Sequence, residues 1–549
     1  MLHVTKSNMP VSSSRSRFLA VAAVPVCFLL ILGVAAAFRL PHLALRPVHG
    51  DEANQAVKTG ILFETGQYRY DPHEHHGPTL YYLTLPVLYL CGVDSFENSD
   101  IVHYRIVPVF FGLLLIALLW PLRDALGNGA LLWAALFMAV SLPMTYYSRY
   151  YVQEMLLVCF IQTAFVSGWR YLKKPGPCWA IAFGVSLGFM HATKETSAVI
   201  VFCGLAGFAL TLVFARLREH RPLALQLREI FTGRRSGYLV LAALAALTVS
   251  VILFSSFFTH ARGPLDSWLT YASYFGRADG TGSSGVHDKP WYYYLLLLSY
   301  VYRQVGPRWS EAPVLAMAAA GAFAILYARR PGAEQDQSTI ILAVQFRRFL
   351  LFYTVMATLA YSMIPYKTPW NLLVFYHGML LLAGIGLQSI IRAARWRPVQ
   401  ALLLVTALAA ATFMGRQNYY GNYVYHADTR NPYVYAHPSK AVERMAERIA
   451  DIAVVAADGR DLPINIIRPD GDYWPLPWYL RVYTRVGWWR EIPESPDAAI
   501  ILAAPELYAT LEKRLHQEYL VEFHALRPGV LLHAYIRRDL WDAFLKTRE

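Results

Sequence analysis

Runs of about twenty apolar residues recur along most of this chain, joined by short connections rich in Lys and Arg. A helix needs about 20 residues to cross some 30 Å of hydrocarbon. Backbone groups in lipid must also satisfy one another, which leaves helices as the spanning element for runs of this length. Candidate spans fall at 18–38, 103–122, 127–146, 152–172, 177–193, 195–216, 237–258, 311–328, 347–364, 370–392 and 399–416. The run at 79–92 is shorter, follows Pro78, and reads as a helix lying in the membrane interface. The expected class is a polytopic α-helical membrane protein with about eleven spans.

Composition agrees. Hydrophobic residues make up 56% of the 549 positions and charged residues 16%, against roughly a quarter charged in an ordinary soluble domain. A net charge of +13 would raise nucleic acid as a partner in a soluble protein. Here the basic residues sit between apolar runs, so they read as orientation signals and contacts to membrane lipid, and no nucleic acid is expected. None of the five cysteines is in a CxxC spacing, so neither a disulfide framework nor a thiolate zinc site is expected.

Charge placement sets the orientation. Residues 1–17 carry Lys6, Arg15 and Arg17 and read as a cytoplasmic N-terminus. The VAAAF sequence resembles a signal cleavage site, but the run at 18–38 exceeds the usual 7–15 apolar residues and reads as a retained anchor. The basic connections 170–176, 215–237, 328–349 and 391–398 then all face the cytoplasm, as the positive-inside bias requires. Loops 39–80 and 259–310 face outward from a membrane domain spanning 18–416. The tail 417–549 also lies outside the cytoplasm. It reads as helix (438–456), strand (463–469), a Trp/Pro-rich turn, strand (498–504), helix (505–516) and two further strands, a small α/β domain.

Four outward segments hold polar residues that solubility does not require. Asp51 and Glu52 form an acidic pair just after the first span, competent as a general base or a cation ligand; a helix N-cap is the plainer reading. Residues 71–78 place His73, His75 and His76 among Asp71 and Glu74, a metal-competent density that matches no named zinc spacing. Arg149 and Glu154 stand at an outer helix start, where Glu154 suits the positive end of the dipole. Lys194 and Lys367 stand at outer helix ends, where snorkelling competes with neutralising a lipid phosphate. Random polar decoration would spread over both faces, so a convergent outer site accounts for the set better.

The order of these segments resembles the GT-C glycosyltransferases, in the group of the protein O-mannosyltransferases and lipid A aminoarabinose transferases. The shared features are the early acid, HGPTLYY (76–82), Thr193-Lys194, the His287–Tyr293 motif and Lys367-Thr368-Pro369. HGDEA (49–53), NPYVYAH (431–437) and YWPLPWYLR (473–481) look like the flippase-activity-associated subfamily. The resemblance implies a polyprenyl-phosphate sugar donor, a protein, lipid or glycan acceptor, and transfer outside the cytoplasm. It implies Asp51 as general base, with Glu52 beside it. It puts Lys194 and Lys367 near the donor phosphate, where Arg149, His49 and Arg277 join them as substrate-binding candidates. His76, His287 and Glu154 are the expected ligands of a divalent metal ion, if one is used.

The expected chemistry is a single inverting displacement at the anomeric carbon. A lipid phosphate leaving group needs charge stabilisation and no general acid. The competing reading is a lipid-linked sugar flippase or transporter without catalysis, which would place ionisable groups near mid-membrane between helices.

Overall fold

The computed structural model describes residues 12–73, 76–231, 233–278, 287–303, 305–327 and 337–548. Every expected span is matched by a helix. Seven are long and apolar enough to cross a membrane unaided, and an eighth is a broken pair, Asn128–Val140 with Leu142–Ser148, bent by 61°. Three expected spans are shorter or less apolar: α1 (Ser12–Arg39), whose described apolar part is Ala23–Arg39, and the helices Pro177–Thr193 and Ala312–Leu326. Helix α2 (Gly50–Thr65) occupies the first loop. Helix α3 (Thr79–Leu90) is the expected short one: its 12 residues rise about 18 Å, too little to cross. Helix α4 (Ile101–Ala117) opens the second span.

The break at Ser141 has a local cause. Pro143 cannot donate a backbone hydrogen bond and crowds the preceding turn, so the helix restarts there. The restart leaves the Leu142 N–H without an intrahelical partner, and buried Glu311 accepts it at 3.1 Å. The Tyr376 hydroxyl donates to the other Glu311 oxygen at 2.6 Å. Glu311→Leu would leave that N–H and that hydroxyl unsatisfied, at a cost of about 1–3 kcal/mol. Glu311→Gln keeps a carbonyl to accept the Leu142 N–H and an amide N–H that can donate to the Tyr376 hydroxyl, and is expected to unfold near the wild-type temperature. Equal loss in both variants, measured by thermal unfolding in detergent, would count against the clamp.

Helices Ala312–Leu326 and Leu373–Ala393 cross at small residues. A Cβ on Gly321 would stand 2.1 Å from the Leu382 carbonyl oxygen, and one on Gly386 would stand 1.9 Å from that of Met317. Such close backbone approach is how helices associate where lipid removes the hydrophobic drive.

The two-residue strands β1 (Val301–Tyr302) and β2 (Arg308–Trp309) pair antiparallel in the long loop. Beyond residue 424 the chain builds a five-stranded sheet from β3 (Ile464–Ile467), β4 (Val486–Trp489), β5 (Ile500–Ala503), β6 (Tyr519–Arg527) and β7 (Val530–Arg537), in the order β4-β3-β5-β7-β6. β3 runs parallel to β4 and β5, and β7 antiparallel to β5 and β6. All four β5 residues are buried, because Val442, Met445, Ile449 and Ile452 of helix Lys440–Val455 cover one face and Leu511 and Tyr535 pack on the other. This sheet region is docked on the bundle: Val48 donates its N–H to the Tyr479 hydroxyl (3.0 Å), Arg481 donates to the Ser99 carbonyl (2.8 Å), and Trp478 packs on Phe96 and Tyr104.

Candidate active site

The site begins at the N-terminus of α2. His49 is its N-cap, with extended backbone, and its Nδ1 accepts the Asp51 N–H at 3.0 Å. Its Nε2 lies 3.0 Å from the Tyr435 carbonyl, an acceptor only, so Nε2 carries the proton and Nδ1 the lone pair. Burial lowers the His49 pKa and keeps the ring neutral. Both ring nitrogens of His49, expected beside the donor phosphate, are therefore hydrogen-bonded within the protein, where the residue caps α2.

Glu52, the other acid of the expected pair, is also engaged within the protein. Its side chain is fully buried; Arg105 donates to Oε1 at 2.8 Å and to Oε2 at 2.6 Å, and Tyr151 donates its N–H to Oε1 at 2.9 Å. Burial alone would raise the carboxyl pKa, but Arg105 and Arg46 overcome it and hold the group at about 2. Arg105 also binds the carbonyls of Leu43, Arg46 and Pro47, so one guanidinium ties the 43–52 loop to α4. Glu52 holds this fork and has no free oxygen for proton transfer.

Asp51 is left as the accessible acid, with its side chain 50% exposed. Its charge acts on Tyr150, Tyr435 and His287, which places three distant segments around it. The Tyr150 ring stacks on His437 (5.4 Å between centroids, 26°), and Trp370 packs on both Tyr150 (5.9 Å) and Tyr435 (5.7 Å). The Tyr150 hydroxyl is buried with no hydrogen-bond partner among the described residues. Burial, with His49 and Arg46 nearby, keeps the His437 pKa well below the ordinary histidine value. Ala436 takes a left-handed φ of 52°, so Tyr435 and His437 both reach this cage from one short segment.

The expected cation segments meet beside it. The Tyr435 hydroxyl and His287 Nδ1 are 2.6 Å apart, and burial lowers the His287 pKa. Lys367 donates its N–H to the His287 carbonyl at 3.0 Å, and Asp288 and Tyr366 form a β-bridge, so the His287–Tyr293 and Lys367–Pro369 motifs run side by side. Lys367 Nζ donates to the carbonyls of Lys289 (3.1 Å) and Ile364, which leaves one ammonium N–H uncommitted among the described residues. Burial lowers its pKa. Two residues past Pro369, Asn371 accepts from Lys194 Nζ at 3.2 Å, and Lys194 is also paired with Glu154.

Arg149 lies elsewhere. Its guanidinium donates to the carbonyls of Arg39 (2.8 Å), Pro41 (2.7 Å) and His42 (3.0 Å), capping the end of α1. The structure thus does not bring Arg149, an expected substrate-binding residue, together with Lys194 and Lys367. The Arg277 side chain, with Glu74 and His75, lies outside the described residues. The expected metal set is not assembled either: His76 pairs with Glu195 (2.8 Å), Glu154 with Lys194 and His287 with Tyr435. Among the described residues no three His, Cys, Asp or Glu side chains gather to hold an ion.

Sequence reasoning missed Arg105, Glu195, Glu311, Tyr150 and His437. An Arg within the apolar run at 103–122 was the one available signal for the fork. The rest depend on contacts between distant segments.

An acid at the head of the first-loop helix, lysines at later span ends and a C-terminal region docked over them can be compared with known proteins. The model of the dolichyl-phosphate-mannose-protein mannosyltransferase family matches residues 80–265. ArnT from Cupriavidus metallidurans, solved bound to undecaprenyl phosphate, superposes with a TM-score of 0.57 at 14% identity, covering 96% of this chain and 99% of that one. The oligosaccharyltransferase AglB from Archaeoglobus fulgidus, in complex with an inhibitory peptide and a dolichol-phosphate, gives 0.52 at 10% identity, covering 95% and 77%. This chain has the GT-C glycosyltransferase fold. AglB has also been solved with Zn and sulfate, and that structure gives 0.53 at 11% identity, covering 94% and 76%. No curated protein sequence matches. The GT-C fold accounts for the mixture here of long spans, a helical first loop and a small sheet region.

Proposed function

We propose that this protein is a membrane glycosyltransferase that moves a sugar from a polyprenyl-phosphate carrier to an acceptor on the extracytoplasmic side. The observation that carries the reading is the position of Asp51: a half-exposed carboxylate at a helix head, walled by aromatic rings, with the Lys367 segment alongside. ArnT and AglB, which share the fold, were solved with undecaprenyl phosphate and dolichol-phosphate. The basic connections between spans support a cytoplasmic N-terminus and an outward site.

In the proposed step, Asp51 takes the proton from the acceptor hydroxyl as its oxygen attacks the anomeric carbon from the face opposite the phosphate. The bond to phosphate breaks with inversion, and the electron pair leaves with the lipid phosphate. Lys367, with its spare N–H, and Lys194 stabilise the charge that develops there. Of the three rings only that of Tyr435 is partly exposed, and it offers a face on which a sugar ring can stack, backed by buried Trp370. Because His76, His287 and Glu154 do not form one set, no step is routed through a metal.

Lys367→Met is expected to weaken binding of polyprenyl phosphate by roughly 10- to 100-fold, the worth of one hydrogen bond to a charged group. Titration of the purified chain in nanodiscs checks this, and unchanged affinity would remove Lys367 from the phosphate site. Transfer from a radiolabelled panel of polyprenyl-phosphate sugars tests the activity itself. Lipid scrambling by the wild type with no donor turned over would favour the flippase reading.

A further inference from the structure

The mechanism uses the chain beyond residue 424 only through Tyr435 and His437, yet a row of aromatic rings runs from the head of α2 out along the sheet region. It starts at Trp474, which lies against Gly50, the residue before Asp51: a Cβ on Gly50 would stand 3.3 Å from the Trp474 Cβ. The Tyr473 ring follows at 6.1 Å between centroids and 34°, and the Trp488 ring lies a further 4.7 Å away at 43°. Trp474 and Tyr473 are partly exposed, and Trp488 is 37% exposed on the edge strand β4.

The row is held in place from both sides. Trp474 packs on the core of the bundle and Tyr473 on that of the sheet region. Arg468 pairs with Asp470 at 2.7 Å, and Arg527 pairs with Asp472 and donates to the Trp474 carbonyl at 3.4 Å. Between these acids Gly471 takes a left-handed φ of 69°, and a Cβ there would meet Arg490 Nη2 at 3.4 Å, so Arg490 lies across the turn. Rings fixed in advance lose little freedom when a ligand stacks on them.

The rim decides what suits the row. Both acids are paired with arginines, so an anionic headgroup gains no strong cation from them, and charges this close interrupt the broad apolar patch that a membrane or a protein partner would cover. An extended peptide would pair with the free edge of β4, which is four residues long, and leave the ring faces uncovered. A sugar chain matches both parts, since its C–H faces stack on rings and its hydroxyls bond to a polar rim. The Tyr473 hydroxyl makes no hydrogen bond with any described residue and is available for that contact.

We propose that the Trp474–Tyr473–Trp488 row binds a glycan chain, and that this glycan is the acceptor. Its terminal sugar sits at the Trp474 end beside Asp51, and the rest runs outward over Tyr473 and Trp488, with Arg490 donating to its hydroxyls. The acceptor role rests on the transferase reading, whereas glycan binding does not.

Binding of gluco-, manno- and galacto-configured hexasaccharides to the full chain in nanodiscs is followed by saturation-transfer difference NMR and titrated by calorimetry. The wild type is expected to bind at least one of them. Trp488→Leu keeps an apolar side chain without a flat face and is expected to weaken that binding by roughly 2- to 10-fold, the contribution of one stacked ring. Trp488→Tyr, which restores a ring, is expected to recover most of it and guards against a folding defect. In the transfer assay Trp488→Leu raises the KM for the bound hexasaccharide and leaves the affinity for polyprenyl phosphate as it was. Binding of none of the hexasaccharides by the wild type, or equal binding by wild type and Trp488→Leu, overturns the proposal. So does Trp488-dependent binding of an unglycosylated peptide with no sugar bound. Trp488-dependent sugar binding without transfer from any donor sustains the glycan site and counts against the transferase reading alone.

Discussion

Asp51→Asn is expected to lower sugar transfer from a polyprenyl-phosphate donor by roughly 10²–10⁴-fold, the usual contribution of a positioned general base. The amide has nearly the same shape and keeps the helix start, because the His49 cap binds the residue 51 backbone and not its side chain. Thermal unfolding should therefore stay within about 0.5 kcal/mol of wild type, as for a surface substitution. Donor-lipid binding should also persist, since Lys367 and Lys194 are untouched. The assay is single-turnover transfer in nanodiscs. A variant within a few-fold of wild type would remove Asp51 from the reaction, and Asp51→Glu separates a misplaced base from a missing one.

Glu52→Gln should act on stability instead. Breaking a buried ion pair by removing one partner costs about 3–5 kcal/mol, because Arg105 stays buried with its charge uncompensated. Replacing both partners, as Glu52→Leu with Arg105→Met, should recover part of that loss, a comparison to be made by chemical unfolding in one detergent. The same pair gives a pH signature. The Glu52 pKa is depressed to about 2 in the folded protein, against about 4.3 in an unfolded chain. Its stabilisation is therefore complete above about pH 4.3 and is lost as pH falls towards 2. The wild-type melting temperature should drop over that interval by more than that of Glu52→Gln. Parallel curves for the two proteins would show that the fork is not the acid-sensitive element.

What could be read from the sequence follows from the physics of each feature. Spans were legible because lipid imposes a length and a composition on the residues of a single segment, and the short helix at Thr79–Leu90 stood out by failing that length. Of the central sheet strands, Ile500–Ala503 was legible as a continuous apolar run and Ile464–Ile467 as an isoleucine-rich one interrupted by Asn465. Strand Val486–Trp489 was not, because it is the edge strand β4 and its residues are only partly buried. Helix Arg538–Lys546 was not expected either. In the site, the segments were identified by residue type, but the division of labour within Asp51-Glu52 was invisible. The two acids are adjacent in sequence, and only the approach of Arg105 from another helix distinguishes them. The contacts of Arg149 were invisible for a similar reason: its partners are backbone carbonyls of Arg39, Pro41 and His42, and carbonyls carry no sequence signature. Glu311 was hidden at the edge of an apolar run, where an acid looks like a span boundary.

The turn at Ala436 has a consequence in time. Synthesis proceeds from the N-terminus at roughly 5–20 residues per second, so Asp51 is made tens of seconds before Tyr435 and His437, which complete its surroundings from the far end of the chain. Through that interval the spans can already be inserted, yet the acid lacks its last two ring neighbours and His49 lacks the carbonyl that fixes its proton. A chain interrupted between the end of the last span, at Val424, and residue 435 would carry every span yet lack the two rings that close around the head of α2.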